Sequence, residues 1–195
     1  MSIYLLNIID SLNRIDRNLF ILIQSMSFAA LYWLMMVLRN ALTWIPLYAF
    51  ILFWLVRYQK KFAWQFIVLS LVVFTITDFT SASILKPLFL RPRPCADLAL
   101  QGVVRDLVGC GGKYGMPSSH ASNHFGLATF WYFSIKWMSN RKWLWLWLWA
   151  ALVCYAQVYV GKHYPGDILA GSVLGTSVGF LFAMVFRKWL LKKDL

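Results

Sequence analysis

Five long apolar runs dominate this sequence and limit the folds open to it. They cover roughly residues 41–56, 62–85, 119–138, 143–160 and 168–189. Runs of about 20 apolar residues match the hydrocarbon thickness of a bilayer, where each backbone polar group must be hydrogen-bonded within its own segment. We therefore predict an all-α integral membrane protein, a helical bundle with five transmembrane helices.

The composition agrees with a membrane location. Hydrophobic residues make up 61% of the 195 residues and charged residues 13%, about half the share usual in soluble domains. The net charge is +12, and glutamate does not occur. Because the cations lie mostly at the ends of apolar runs, they indicate membrane topology or an anionic substrate rather than nucleic acid. We expect no cleavable signal peptide, since a basic start followed by a small-residue cleavage site is missing.

The fourth run contains a pattern that resembles a strand. In WLWLWLW (143–149), tryptophan and leucine alternate with a period of two residues. Neither face is polar, however, and the apolar run continues to Val160. We therefore predict a helix whose tryptophans lie at the membrane interface, behind Arg141 and Lys142.

Residues 1–38, the N-terminal segment, differ from the membrane-embedded core predicted for 39–195. Apolar residues recur there at spacings of three and four, as in an amphipathic helix lying on the membrane: Leu5, Ile8, Leu12, Ile15, Leu19 and Leu22. The following run, 27–38, is short. It either lies in the interface as well or joins residues 18–25 as a sixth span.

The positive charges predict which side of the membrane each loop occupies. Ten cations lie on one side, which we therefore predict to face the cytoplasm. They are Arg57, Lys60, Lys61, Lys136, Arg141, Lys142, Arg187, Lys188, Lys192 and Lys193. Seven lie on the opposite face, periplasmic in a bacterial inner membrane: Arg39, Lys86, Arg91, Arg93, Arg105, Lys113 and Lys162. A bound anion would explain so many cations on the translocated side.

Glycines recur in the last run at four-residue spacing, at positions 171, 175 and 179. Small residues at this spacing let two membrane helices approach closely. We predict a packing role for them.

Three polar clusters fall on the face opposite the cytoplasm. They are KPLFLRPRP (86–94), MPSSHASNH (116–124) and VYVGKHYPGD (158–167). Although they are far apart in the sequence, the predicted topology brings them together at one end of the helical bundle. Ionisable residues at such a position are candidates for function.

Each cluster suits the binding of a phosphate. Lys86 and Arg93 offer a point charge and a rigid fork of donors. Ser118 or Ser119 can cap a helix whose N-terminus attracts anions, with His120 in its first turn. Asp167, four residues after His163, can accept a hydrogen bond from one imidazole nitrogen and leave the other exposed as a nucleophile.

Two other features leave alternatives open. His120 and His124, four residues apart, could hold zinc, but the many nearby cations favour an anion over a metal. Cys95 and Cys110 lie in one polar loop and either form a disulfide in an oxidising compartment or remain free thiols, whereas Cys154 lies in an apolar run.

In this order, the three clusters resemble the type-2 phosphatidic acid phosphatase superfamily, whose motifs are K-x6-RP, PSGH and SR-x5-H-x3-D. The first motif matches Lys86 through Arg93-Pro94. The second matches Pro117 to His120, with serine in place of glycine. The third ends in His163 and Asp167 at the family spacing. The similarity covers residues from about 76 to 170 and agrees with the helical layout.

The resemblance implies a metal-independent phosphatase that acts on a lipid phosphate or pyrophosphate, with no cofactor. It implies that His163 takes the phosphoryl group, that Asp167 orients His163 and that His120 protonates the leaving group. Phosphate ligands would come from the remaining motif positions: Lys86, Arg93, Ser118, Ser119 and Gln157. The candidate lipids are undecaprenyl pyrophosphate, phosphatidylglycerol phosphate, phosphatidate and a lipid A phosphate.

The sequence departs from the family at one phosphate-binding position. Where the family has Ser-Arg, this chain has Ala156-Gln157. Loss of a charged hydrogen bond costs about 1.5–3 kcal/mol, so a nearby cation would have to compensate; the candidates are Lys162, Lys113, Arg91 and Arg105. The departure keeps two alternatives open: a lipid-phosphate binder or transporter without turnover, and a lipid phosphotransferase.

Overall fold

The protein is helical throughout the region that the structure describes. This computed structural model describes residues 3–26 and 28–192. Within these ranges there is no β-strand, only an isolated bridge between Pro92 and Tyr114. The predicted all-α class is therefore confirmed. Ser27 and Lys193, which belong to two sequence predictions, lie outside the described residues.

Eight α-helices follow one another in the described residues. Their bounds are α1 Ile3–Ser25, α2 Ala29–Arg39, α3 Ile45–Tyr58, α4 Ala63–Phe79, α5 Lys86–Phe89, α6 Ser119–Ser139, α7 Trp145–Tyr159 and α8 Pro165–Lys192. A π-helical stretch, Thr80–Leu85, joins α4 to α5. It lies just before Pro87, which has no backbone N–H to continue an ordinary helical ladder.

Three helical stretches are long and apolar enough to cross a membrane: Ala41–Tyr58, Lys60–Phe89 and Pro165–Lys192. They correspond to three of the five predicted spans. The other two predicted spans are also helices, but α7 is only 15 residues long and α6 begins with serine, histidine and asparagine residues. Five transmembrane spans are thus not confirmed.

Helix α6 lies at the centre of the bundle, which explains its polar side chains. It packs against α4, α7 and most extensively α8. Its neighbours supply polar partners as well as apolar ones: Thr77 donates a hydrogen bond to Asn123, whose amide donates to Asp78. Because protein surrounds α6, it does not need the apolar surface of a lipid-facing helix.

The glycines of α8 allow it to lie directly against α6. A Cβ atom added at Gly171, Gly175 or Gly179 would come closer than van der Waals contact to a backbone carbonyl of the α6 region. The carbonyls concerned belong to Ser118, Ser122 and Gly126. The predicted packing role of the glycines is confirmed, and it brings the first turn of α8 beside the start of α6.

The N-terminal segment is tied to the bundle rather than separate from it. Helix α2 turns by 118° from α1, so the two count at most as one broken span. Gln24 of α1 is buried and donates hydrogen bonds to the carbonyls of Val158 and Tyr159, at 3.1 and 3.0 Å. Phe20, also buried, packs edge to face on Tyr164. These contacts fix α1 against the connection between α7 and α8.

We expect Gly175→Ala to destabilise the bundle because the new methyl group would meet rigid backbone atoms of Ser122 and Gly126. Overpacking of this kind costs about 1–3 kcal/mol. Denaturant titration in detergent measures the change in the free energy of unfolding. Ser177→Ala is the matched control, since Ser177 lies on the exposed side of the same helix; equal effects of the two substitutions would contradict the prediction.

Candidate functional site

Hydrogen bonds join the three polar clusters into one site. Lys86 Nζ lies 2.9 Å from Ser119 Oγ, which links the first cluster to the second. The backbone N–H of Ser118 donates to the carbonyl of Asp167 at 2.9 Å, which links the second to the third. Arg91 Nη1 lies 2.8 Å from Asp167 Oδ1 and links the first to the third. The tertiary structure therefore brings together residues separated by about half of the sequence.

Asp167 holds the histidine of the third cluster. The carboxylate is fully buried in the first turn of α8, which starts at Pro165. Its Oδ2 lies 3.4 Å from Nδ1 of His163 and also accepts a hydrogen bond from the backbone N–H of Tyr164 at 3.0 Å. With Nδ1 directed at the carboxylate, Nε2 is the nitrogen left for chemistry.

Burial favours the neutral form of His163. Its side chain is almost fully enclosed, and this burial lowers the pKa of the imidazole, while the hydrogen bond to Asp167 opposes the change. The charges of Arg93 and Lys86 also lower the pKa. A neutral imidazole is the form that can act as a nucleophile.

The two serines of the second cluster have different partners. Ser118 is fully buried and caps α6, accepting a hydrogen bond from the backbone of Ala121 at 3.4 Å. Ser119 directs its hydroxyl to the other side, where Lys86 and Ser81 both lie 2.9 Å from it. The hydroxyl of Ser119 is thus adjacent to the lysine, whereas that of Ser118 is engaged in the helix cap.

His120 and His124 lie one turn apart on α6 with nearly parallel rings. Nδ1 of His124 is 2.8 Å from the carbonyl oxygen of His120, and its ring packs on Trp149 at 5.0 Å. Across residues 3–26 and 28–192, no group of three or more histidine, cysteine or acidic side chains is arranged to hold a metal. The contacts of His124 are with the backbone of its own helix and with Trp149.

Arg93 and Lys162 converge on the loop before the second cluster. A Cβ added to Gly111 would lie 3.1 Å from Lys162 Nζ and 3.9 Å from Nη1 of Arg93. Nε of Arg93 donates to the carbonyl of Tyr114 at 3.2 Å, and Lys162 Nζ donates to the carbonyl of Gly109. Together with Lys86, these two residues form the cation cluster of the site.

A disulfide and a glycine shape this loop. The structure joins Cys95 to Cys110 by a disulfide, with Cα atoms 5.6 Å apart. Gly115 donates its backbone N–H to the carbonyl of Arg91 at 2.9 Å. A Cβ there would lie 2.7 Å from Asp167 Oδ2, so only a glycine lets the chain pass the carboxylate this closely.

Gln157 lies in the last turn of α7, where the resemblance leads us to expect an arginine. Its side chain is 1% exposed, and no described residue accepts a hydrogen bond from its Nε2. Its backbone carbonyl accepts from the N–H of Lys162 at 3.0 Å. A buried amide nitrogen without a partner is unusual and costs free energy.

Sequence reasoning missed Asp16, an acidic residue of α1 that completes the site. One oxygen of Asp16 accepts from Arg91 Nη2 at 2.6 Å, and the other accepts from the backbone N–H of Gly166 at 2.7 Å. Arg91, stacked 4.4 Å above the ring of Tyr164, thus bridges Asp16 and Asp167. The sequence contained one sign of this role. Asp16 lies four residues after Leu12 and three before Leu19, so it places a charge on the apolar face of α1.

Three of the four cations that could replace the family arginine interact with other groups in the structure. Arg91 is shared between two carboxylates. Arg105 contacts the hydroxyl of Tyr32. Lys113 lies over the ring of Tyr114, 5.4 Å from its centre. Lys162, in contrast, is part of the cation cluster.

Comparison with known proteins identifies the family of the chain. Residues 66–190 match the model of the PAP2 superfamily. A lipid A 4'-phosphatase of Bacteroides thetaiotaomicron is 33% identical over 92% of this chain and 80% of the relative. A lipid A 4'-phosphatase of Porphyromonas gingivalis is 30% identical, and the match covers 90% of this chain and 76% of that relative.

A solved structure has the same fold. The transmembrane PAP2-type phosphatidylglycerolphosphate phosphatase of Bacillus subtilis superimposes with a TM-score of 0.71. The match covers 91% of this chain and 87% of that one at 20% sequence identity, so the similarity concerns the fold.

We expect Asp16→Asn to destabilise the protein because it removes the negative charge opposite Arg91, whose side chain is only 18% exposed. Loss of a hydrogen bond to a charged group costs about 1.5–3 kcal/mol. The measurement is the free energy of unfolding in detergent. Asp10→Asn, on an exposed position of the same helix, is the control and should leave stability unchanged; a change as large as that of Asp16→Asn would refute the assigned role.

Proposed function

Since the chain belongs to the PAP2 superfamily, we propose that it is an integral membrane phosphatase that dephosphorylates a lipid through a phosphohistidine on His163. The observation that supports this most directly is the position of Asp167. It lies 3.4 Å from Nδ1 of His163, so that Nε2 is the nitrogen left to react. No metal or cofactor takes part in the proposed reaction.

In the first step, Nε2 of His163 attacks the phosphorus of the lipid phosphate. A nitrogen–phosphorus bond forms while the bond from phosphorus to the lipid oxygen breaks. His120, at the start of α6, donates a proton to the departing oxygen. Asp167 accepts the hydrogen bond from Nδ1 and stabilises the positive charge that develops on the imidazole.

In the second step, water attacks the phosphohistidine. His120, now unprotonated, removes a proton from the water, and the nitrogen–phosphorus bond breaks to release inorganic phosphate and neutral His163. The same residue thus acts first as an acid and then as a base.

The cation cluster stabilises the phosphoryl oxygens during both steps. Lys86 and Arg93 come from the first cluster and Lys162 from the third, and they have few acidic partners nearby, so a phosphate supplies the missing negative charge. Catalysis of phosphoryl transfer depends mainly on such positioning and electrostatic stabilisation. Ser119 and the N-terminal N–H groups of α6 add hydrogen bonds to the same oxygens.

The proposed substrate is a lipid A phosphate. The two relatives described above are named lipid A 4'-phosphatases, and both align along most of this chain. A lipid substrate also fits the location of the site at the ends of apolar helices, where a head group can meet water while its acyl chains stay in the bilayer.

The proposed membrane arrangement keeps the five spans, with α6 and α7 crossing inside the bundle. Residues 1–38 then form an interfacial segment on the same face as the site, and residues 39–195 form the phosphatase core. The site faces the periplasm of a bacterial inner membrane. This orientation agrees with a disulfide between Cys95 and Cys110, since disulfides persist in oxidising compartments.

We expect His163→Ala to abolish phosphate release, because the nucleophile is removed while the phosphate-binding residues remain. With lipid labelled on the transferred phosphate, rapid denaturation in alkali should trap labelled protein for the unsubstituted chain and none for His163→Ala. The two measurements together separate a covalent intermediate from direct hydrolysis.

Two outcomes would contradict the mechanism. Labelled protein or full turnover with His163→Ala would show that another residue is the nucleophile, and loss of activity in EDTA that zinc restores would indicate a metal site. Tight lipid binding without phosphate release by the unsubstituted protein would favour a non-catalytic binder or transporter.

Among phosphorylated lipids, we expect lipid A phosphate to give the highest kcat/KM. Phosphate release in detergent compares it with undecaprenyl pyrophosphate, phosphatidylglycerol phosphate and phosphatidate. A higher kcat/KM for any of these three would reject the substrate while leaving the phosphatase reaction intact. Transfer of the label to an added lipid instead of water would indicate a phosphotransferase.

A further inference from the structure

Arg39 is the last residue of α2, and the packing of that helix fixes its location. Met35 of α2 is buried in a cluster with Ala156, Tyr159 and Val160 of the α7 end, and Leu38 packs against the same cluster. Arg39 follows Leu38 directly. The end of α2 therefore lies over the last turn of α7, the turn that contains Gln157.

The guanidinium of Arg39 is half-buried and has an unused donor. Its Nε is buried without a hydrogen-bond partner, and no carboxylate in residues 3–26 and 28–192 pairs with it. Buried polar groups in native proteins are nearly always hydrogen-bonded. An unpaired, charged donor next to a proposed phosphate site therefore indicates a ligand.

Arg39 also lies close to the cation cluster, because Val108 packs on the same apolar cluster as Leu38 and the next residue, Gly109, accepts a hydrogen bond from Lys162. Burial lowers the pKa of Arg93, and the charge of Arg39 lowers it further, although Asp167 opposes both. For Lys162, burial again lowers the pKa, as do the charges of Arg93 and Arg39, while Asp106 opposes them. Like charges at this range repel one another unless an anion lies between them.

Gln157 shows where a charge is missing. Its buried Nε2, like Nε of Arg39, has no partner in the described part of the chain. The amide can donate a hydrogen bond to a phosphate oxygen but cannot balance its charge. The site thus has an uncharged side chain at the end of α7 and an unpaired cation entering from α2, which overlies that end.

We propose that Arg39 is a phosphate ligand of this site, and that α2 thereby supplies the positive charge that position 157 lacks. The inference rests on the proposed phosphatase function and adds a residue to its binding site. An arginine suits the role because its planar fork donates two parallel hydrogen bonds to phosphate oxygens. A bound phosphate would satisfy the buried Nε and relieve the repulsion among Arg39, Arg93 and Lys162.

This role makes α2 part of the substrate site rather than only a membrane anchor. The helix carries exposed apolar residues, Trp33, Leu34 and Met36, on the surface away from the bundle. A helix of this kind can lie among the lipids while its terminal arginine reaches the head group.

The first test compares Arg39→Ala with Arg57→Ala, a substitution of an exposed arginine at the end of α3. Orthovanadate binding is measured by titration calorimetry, and kcat/KM is measured with lipid A phosphate. We expect Arg39→Ala to weaken both by about 10- to 100-fold, the equivalent of one charged hydrogen bond. Arg57→Ala should change neither, and an unchanged unfolding temperature shows that both variants are folded.

The second test moves the charge within the site. Gln157→Arg in the Arg39→Ala background should recover most of the lost orthovanadate affinity, because the new guanidinium reaches the same anion from the end of α7. Gln157→Arg alone should give no gain, since it adds a further like charge beside Arg39. Arg39→Lys should fall between the native protein and Arg39→Ala, because lysine keeps the charge but loses the fork.

Unchanged orthovanadate affinity in Arg39→Ala would overturn the inference, and so would a failure of Gln157→Arg to restore affinity in a folded double variant. Orthovanadate binding does not require turnover, so these results stand apart from the phosphatase proposal. That proposal fails instead if the unsubstituted protein releases no phosphate from any lipid tested.

Discussion

The carboxylate of Asp167 is the point on which the site depends. It is fully buried and accepts hydrogen bonds from Arg91 and from the backbone of Tyr164, with His163 beside it. The carbonyl of the same residue accepts from the N–H of Ser118. A buried carboxylate is tolerated only when donors surround it. The donors to the carboxylate come from the loop after α5 and from the turn before α8, and the carbonyl joins the start of α6, so this one residue connects all three motifs.

The cations of the site differ in whether a carboxylate neutralises them. Arg91 is neutralised by Asp16 and Asp167, and this pairing is structural. Arg93, Lys162 and Lys86 converge near the histidines, with few acids to balance them. A site that concentrates cations in a partly enclosed space attracts a polyanion and disfavours a dication. The proposed phosphate would supply the negative charge that these cations lack.

The bundle geometry brings the starts of α6 and α8 together at one end of the bundle. Glycines 171, 175 and 179 let α8 approach α6 until backbone meets backbone, so the first turns of both helices lie side by side. Helix α6 can then carry serine, histidine and asparagine side chains because α4, α7 and α8 surround it. The same enclosure explains why the sequence of α6 is less apolar than that of a lipid-facing span.

The sequence alone determined the helical class, the order and spacing of the three motifs, the small-residue face of α8 and a serine cap at the start of α6, because each depends on residues near one another in the chain. Contacts across the chain were decided only by the tertiary structure. Asp16 lies 75 residues before its partner Arg91, and Arg39 approaches Arg93 and Lys162 from the end of a segment that the sequence placed either in the membrane interface or in a sixth span. Periodicity shows which face of a helix is apolar, but the direction in which α1 and α2 dock follows from packing against α7 and α8, and only that packing brings their charges to the site.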